Sequence, residues 1–339
     1  MHMTNHDRSV PDHLLIKIEQ RDDPVSMISE DDARRRSLAY PKTMWGAPIF
    51  GLAEELDAGR WRIIRLDAEE PQYARDSLAH HLRKRHNETP DTPEYATERA
   101  ECETAYELLD WEPVNDLTVN GRRYRIIRAQ PFIRMGPDGP EPPRPTDPDL
   151  YPPGQAENAP SQMDGFLIDP TAGTGLTDGI VRIEMTSAFH RAETVPNEVR
   201  ADSYRALDTH PNVVLLPVGF TIGGYVDGSW RPRSFDAYPT PQAARDAVSF
   251  SIVRPRMAES TTIEEFRAAY DRAKAAHAPP TTDDFELNGV QCRVTRVETF
   301  VRVGPDGPEG PRPSDHDSQP PPARHVADLR AQGLMPDPD

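Results

Sequence analysis

The spacing of apolar and polar positions changes period several times along the chain, and each change predicts an element. Short aliphatic runs at Leu14–Glu19 and Ile180–Met185 predict strands. Ser29–Leu38 and Pro196–Leu207 each open on a capping residue or proline, carry acids in the first turn, and predict helices that Pro41 and Pro211 stop. Ile49–Leu56 and Val213–Val226 run into Asp/Gly turns followed by Trp61–Leu66 and Trp230, which predicts two hairpins. Helical spacing returns at Pro71–His86 and Pro241–Arg254, each opened by proline, and at Pro93–Leu109 and Ile263–His277. Two further hairpins close the pattern. Asp116–Val119 and Arg123–Phe132 flank Asn120-Gly121, and Phe285–Leu287 and Cys292–Val303 flank Asn288-Gly289.

Every prediction comes twice, and the residues agree with that. Gly136–Asp149 (GPDGPEPPRPTDPD) returns at 304–317 as GPDGPEGPRPSDHD, with eleven of fourteen positions identical. Asn120-Gly121 matches Asn288-Gly289 at an offset of 168, Trp61 matches Trp230 at 169, and PQYARD at 71–76 matches PQAARD at 241–246 at 170. The matches keep one order with little drift in offset, the mark of a tandem duplication. Each unit reads β-α-ββ-α-α-ββ, an α+β fold: an antiparallel sheet with helices on one face, the two units related by a pseudo-two-fold axis. The expected division is 10–150 and 165–320, each ending in a proline-rich arm, followed by a C-terminal tail at 321–339.

Composition adds where the arms lie. The 37 prolines cluster at 137–153, at 305–322 and at the extreme C-terminus, which marks arms rather than a disordered chain. A formal net charge of −17 argues against duplex nucleic acid or an anionic membrane as partner. The basic runs at 34–36, 83–85 and 122–123 read as solvated faces. Cys102 and Cys292 stand at non-equivalent positions of the two units, so no duplicated disulfide is expected. No apolar run approaches the roughly 20 residues that span a bilayer, and residues 1–8 lack the apolar stretch of a secretion signal, which points to the cytoplasm.

The arm is the strongest candidate for a functional element. Pro-Asp-Gly is turn chemistry, and the prolines beyond it predict an extended, polyproline-like course. In one reading the arm is a structural clasp that wraps its own or the other unit, with Arg144 or Arg312 pairing a carboxylate. In the other it docks a partner protein, or Asp147, Asp149, Asp315 and Asp317 hold a hard cation. Asp-x-Asp is a weak cation signal without the rest of a calcium loop. Asp138, Arg144, Asp147, Asp149, Asp306, Arg312, Asp315 and Asp317 are therefore the candidate site residues. Trp61 and Trp230 join them, as plugs of the core edge or as a stacking platform.

Other motifs stay bland. His80, His81 and His86 share a predicted helix, but Phe250 and Ser251 stand opposite the first two in the second unit, and no zinc spacing occurs. The Gly-x-Gly at 173–175 lacks a following lysine or helix fingerprint, and no nucleophile elbow is present. No metal and no cofactor are expected.

The paired arms RMGPDGPEPPRPTDPD and RVGPDGPEGPRPSDHD, Tyr40-Pro41-Lys42 and the closing Arg330–Pro336 segment resemble an actinobacterial family of unknown function. That resemblance covers nearly the whole chain and implies a cytoplasmic bacterial protein, without any activity. Three functional readings follow: a non-enzymatic protein-interaction module, an enzyme or small-ligand binder with its site in the cleft between the units, and an acidic inhibitor of a basic partner. The second of these implies a deep interface pocket holding carboxylates of perturbed pKa.

Overall fold

The computed structural model describes residues 11–19, 23–57, 59–156, 159–191, 194–232, 235, 237–248, 253, 261–276 and 279–336. The first half holds α1 (Pro24–Ala39), β1 (Lys42–Trp45), β2 (Ile49–Glu55), β3 (Trp61–Ala68), α2 (Pro71–Glu88), α3 (Ala96–Trp111), β4 (Asp116–Val119), β5 (Arg122–Gly136) and β6 (Gly139–Pro140). After β7 (Leu167–Ile168) and α4 (Leu176–Thr186) come α5 (Asn197–Thr209), β8 (Asn212–Leu215), β9 (Gly219–Val226), β10 (Ser229–Pro232) and α6 (Pro241–Asp246). The chain continues with α7 (Ile263–Ala276), β11 (Asp284–Leu287), β12 (Val290–Gly304), β13 (Gly307–Pro308) and α8 (Pro322–Ala331).

The Asn-Gly turns set the sheet. Asn120 and Asn288 both sit at φ +52°, in the left-handed region that a tight hairpin turn demands. Each turn launches a fifteen-residue strand, β5 or β12. These two long strands pair antiparallel at the centre, with Glu298 opposite Phe132 and Phe300 opposite Gln130. From that pair one continuous antiparallel sheet extends, thirteen strands among the described residues, through β9 and β10 on one side and β2, β3 and β7 on the other.

The two-residue strand period sorts the side chains onto two faces. Tyr124 and Ile126 of β5 pack with Leu78 and Leu82 of α2 and with Cys102 and Leu109 of α3. Farther along the same face, Phe132 and Phe300 meet Val181 and Met185 of α4, and Val294 meets Ala244 of α6. The α+β class and the placing of helices on one face therefore hold for these elements. The opposite face carries Ile127, Ala129, Val301 and Val303, covered by Ile168, Leu216 and the connector residues Met163 and Phe166.

Four local expectations change. Ile180–Met185 is helical, within α4: Thr177, Val181 and Met185 are buried at four-residue spacing while Ile180 and Ile183 face outward. A six-residue window contained both periods, and the longer stripe decides. Among the described residues Leu14–Glu19 forms an isolated bridge, Ile18 to Thr174, and no strand, so the opening strand of the β-α-ββ-α-α-ββ unit does not form at either expected position. The single strand at 213–226 is two strands, β8 and β9, broken at Pro217. Its counterpart β1 in the first half was hidden behind the helix stop at Pro41. The helix read at 241–254 is α6 as far as Asp246, and residues 249–252 and 254 lie outside the described residues, as do His277 and residues 1–8.

Candidate functional site

Each arm begins by doubling back on its own long strand. Gly139 pairs with Gly136, and Gly307 with Gly304. The arm then crosses to the other half. Glu141 donates its N–H to the Arg134 carbonyl (2.9 Å) and accepts from the Arg296 N–H (2.9 Å), which stitches β5 to β12. Glu309 does the same between the Arg302 carbonyl and the Arg128 N–H, both at 2.8 Å.

The charged residues complete the exchange. The Arg144 N–H donates to Asp147 (2.7 Å) and its guanidinium to Glu141 (2.7 Å); Arg312 repeats this with Asp315 and Glu309 at the same distances. Asp147 reaches Arg296 at 3.4 Å, and Asp315 reaches Arg128 at 3.0 Å. Asp149 accepts from the Gln242 N–H (2.8 Å) and pairs with Arg245. Asp317 accepts from the Gln72 N–H (3.0 Å) and pairs with Arg75 at 2.7 Å. Gln72 lies in the first turn of α2, whose own Glu70 offers no side-chain cap. Asp317 therefore supplies from 245 residues away the carboxylate that a helix N-terminus favours.

The turn tips differ between the halves. Asp306 is gripped by Arg123 (2.8 Å) and Arg125 (2.5 Å), which hold its carboxyl well below the usual range. Arg125 also lies over the fully buried Trp61, 4.9 Å from the ring. At the other tip it is the main-chain carbonyl of Asp138 that accepts, from Arg293 at 3.1 Å. Gln291 stands where the first half has Arg123, so one of the two gripping cations is missing. Trp230 is half-buried against Gly139 with Arg293 at 5.2 Å. Both tryptophans thus lie beneath the tip of the crossing arm.

The arms stand apart from a large groove in the first half. The groove, of about 970 Å³, runs beside α2. Ile49, Leu52, Ile64 and Leu66 form part of one wall, Met163 of the connector another, and Phe235, Ala237 and Thr299 arrive from the second half. Asp76, His80, His81 and Lys84 of α2 face this space. Burial raises the Asp76 carboxyl, against the opposing hydrogen bond from the Gln72 side chain (2.9 Å). Burial also lowers His81, whose ring packs 5.7 Å from Tyr124. Of the two histidines, His80 is exposed and His81 is half-buried. No local spacing signals the groove, because a third of its lining, at 161–164, 235, 237 and 299, lies far from the 49–84 segment along the chain.

Sequence reasoning also passed over the receivers of the arms: Arg75, Arg125, Arg128 and Arg134, with Arg245, Arg293, Arg296 and Arg302 in the second half. They were visible as arginines repeated at offsets of 168 and 170. Among the described residues no cluster of three or more histidine, cysteine or acidic side chains is arranged to hold a metal, and no helix is long and apolar enough to cross a membrane.

A model of one protein family matches residues 23–318, a span that takes in both arms and all thirteen strands. The chain belongs to DUF5954, a family of unknown function. The DUF5954 match begins at Asp23, whose carboxylate caps α1 through the Ser26 N–H, and ends at Ser318, beside the last arm carboxylate. No curated protein and no solved structure matches the chain.

The buried histidines give a pH prediction. Burial holds His81, His190 and His210 below the ordinary imidazole value. A group with a depressed folded pKa stabilises the fold above its unfolded value and loses that contribution as pH falls. Urea midpoints should therefore be highest above about pH 7 and decline once pH passes below roughly 6.5. A midpoint that rises between pH 7.5 and 5.5 would contradict the burial of these rings.

Proposed function

We propose that the protein binds a small molecule in the groove between its two halves. The observation that carries this is the groove itself: about 970 Å³, walled by both halves and the connector, apolar on one side and lined by Asp76 and His81 with shifted pKa on the other. That volume lies at the upper end of ordinary ligand sites, about 300–1,000 Å³, and the mix of apolar wall and few polar groups is their usual lining. Titratable groups displaced from their normal range concentrate at such sites.

We further propose that the halves at 10–150 and 165–320 arose by tandem duplication about a pseudo-two-fold axis. The eleven shared arm positions and the reciprocal arm contacts support it. A docking role for the arms draws no support from their geometry, since Arg144, Arg312, Asp147, Asp149, Asp315 and Asp317 are engaged internally. A partner protein then rests on the acidic net charge, and a salt-dependent complex is the corresponding expectation.

Ser77, on the groove wall, offers the test. A fragment library screened by saturation-transfer NMR should yield binders to the wild type that Ser77→Trp loses while melting within about 2 °C of it. Binders that persist in a folded Ser77→Trp, or a library without binders, would remove the proposal.

A further inference from the structure

A second cavity lies away from this groove, where the arm of the second half crosses the sheet, and its charges do not balance. Around the first crossing, Arg134, Arg144 and Arg296 face four carboxylates: Glu141, Asp147, Glu298 and the half-exposed Glu184. Around the second, Arg128, Arg302 and Arg312 face only Glu309 and Asp315. The third acid's place is taken by Gln130, opposite Phe300 as Glu298 is opposite Phe132. Asp202, the next acid, bonds to Arg205 (2.9 Å) and to the Ser314 N–H (2.9 Å), and Arg312 acts on it only from beyond ion-pair distance. One buried positive charge is left over.

Arg302 shows where it resides. Its guanidinium donates to the main-chain carbonyls of Ala188 (2.6 Å), Met185 (3.0 Å), Thr186 and His210 (both 3.3 Å), and among the described residues no carboxylate lies within ion-pair reach of it. Burial pushes it down to about 10, and nearby Arg312 and Arg128 act in the same direction against Glu309. Carbonyl dipoles satisfy its donors but do not neutralise it, and an uncompensated buried charge is costly.

Beside it is a cavity of about 20 Å³, lined by Arg128, Gln130, Arg302, Arg312, His190 and Ser203. That is room for one water-sized atom. A second space of about 920 Å³ shares Trp45, Ala188, Phe189 and His190 with it. We propose that this pair of cavities binds a small organic monoanion, one carboxylate oxygen entering the arginine-lined pocket and the body of the acid resting against Trp45 and Phe189. The size limits the deep pocket to a single oxygen, and the single excess charge matches a monoanion rather than a phosphate dianion. Charge-assisted hydrogen bonds from guanidinium groups are the strong polar contacts such a ligand would make.

Benzoate is the probe. In buffer free of chloride and other carboxylates, benzoate should raise the melting temperature of the wild type in a saturating manner, while phosphate at equal ionic strength should not. Ser203→Asp places a tethered carboxylate at the pocket, and Ser203→Asn places the same shape without charge. Ser203→Asp should melt a few degrees above Ser203→Asn and weaken benzoate binding about tenfold or more. A wild type indifferent to benzoate, an equal response to phosphate, or a Ser203→Asp variant less stable than Ser203→Asn would each overturn the proposal. The wild-type titration decides alone if neither variant folds.

Discussion

Replacing Glu298 by glutamine is expected to lower the unfolding free energy by about 3 kcal/mol, the scale for breaking a buried ion pair by removal of one partner. Glu298 lies among three guanidiniums: it pairs with Arg296, with Arg134 at 3.5 Å and with Arg144 at 3.7 Å. Burial alone would raise its carboxyl, but the three cations outweigh burial and keep it ionised, below its usual value. The amide keeps the shape and removes the charge, so the loss measures electrostatics rather than a cavity. It also makes the first crossing resemble the second, where Gln130 occupies this place. Urea denaturation at pH 7 reads the change, and a loss under about 0.5 kcal/mol, the range of an ordinary surface substitution, would show that the cluster is not load-sharing.

Gly307→Ala should also cost about 3 kcal/mol, from two causes that a comparison separates. Gly307 has φ +102°, and a Cβ there would overlap the Trp61 indole. Trp61 is fully buried beneath Arg125 and has no room to withdraw. Gly228 has φ +76° with nothing within 4 Å of its would-be Cβ. Gly228→Ala therefore isolates the backbone term, about 1 kcal/mol, and the excess at Gly307 reports the fit of the arm tip against the tryptophan. Equal losses at the two positions would mean that the tip does not seat on Trp61.

The elements that sequence displayed are those whose signals are local. Asn-Gly between alternating runs located both long hairpins, Pro71 and Pro241 located the starts of α2 and α6, and the repeated GPDGPE segments located the arms. Ile180–Met185 failed because six residues of mixed aliphatic and polar type satisfy strand and helix periods alike. The destination of the arms was open for a different reason. The sequence shows that Arg144 and Asp149 recur as Arg312 and Asp317, but a clasp on the same half and a clasp on the other leave identical residues behind. Only the pairing of β5 with β12 brings Asp317 to Arg75 and Asp149 to Arg245. The groove was less legible still, since Met163, Phe235 and Asp76 come together only in the folded chain.

The central structural claim is that each arm is an internal strap on the opposite half. A double-mutant cycle on Arg75→Ala and Asp317→Ala tests it most directly, because these residues lie 242 positions apart and have no other reason to communicate. With the arm exchanged as described, the two losses should fail to add, leaving a coupling energy of about 1 kcal/mol or more. Strict additivity, in two well-folded single mutants, would mean that the arm of the second half does not lie on α2.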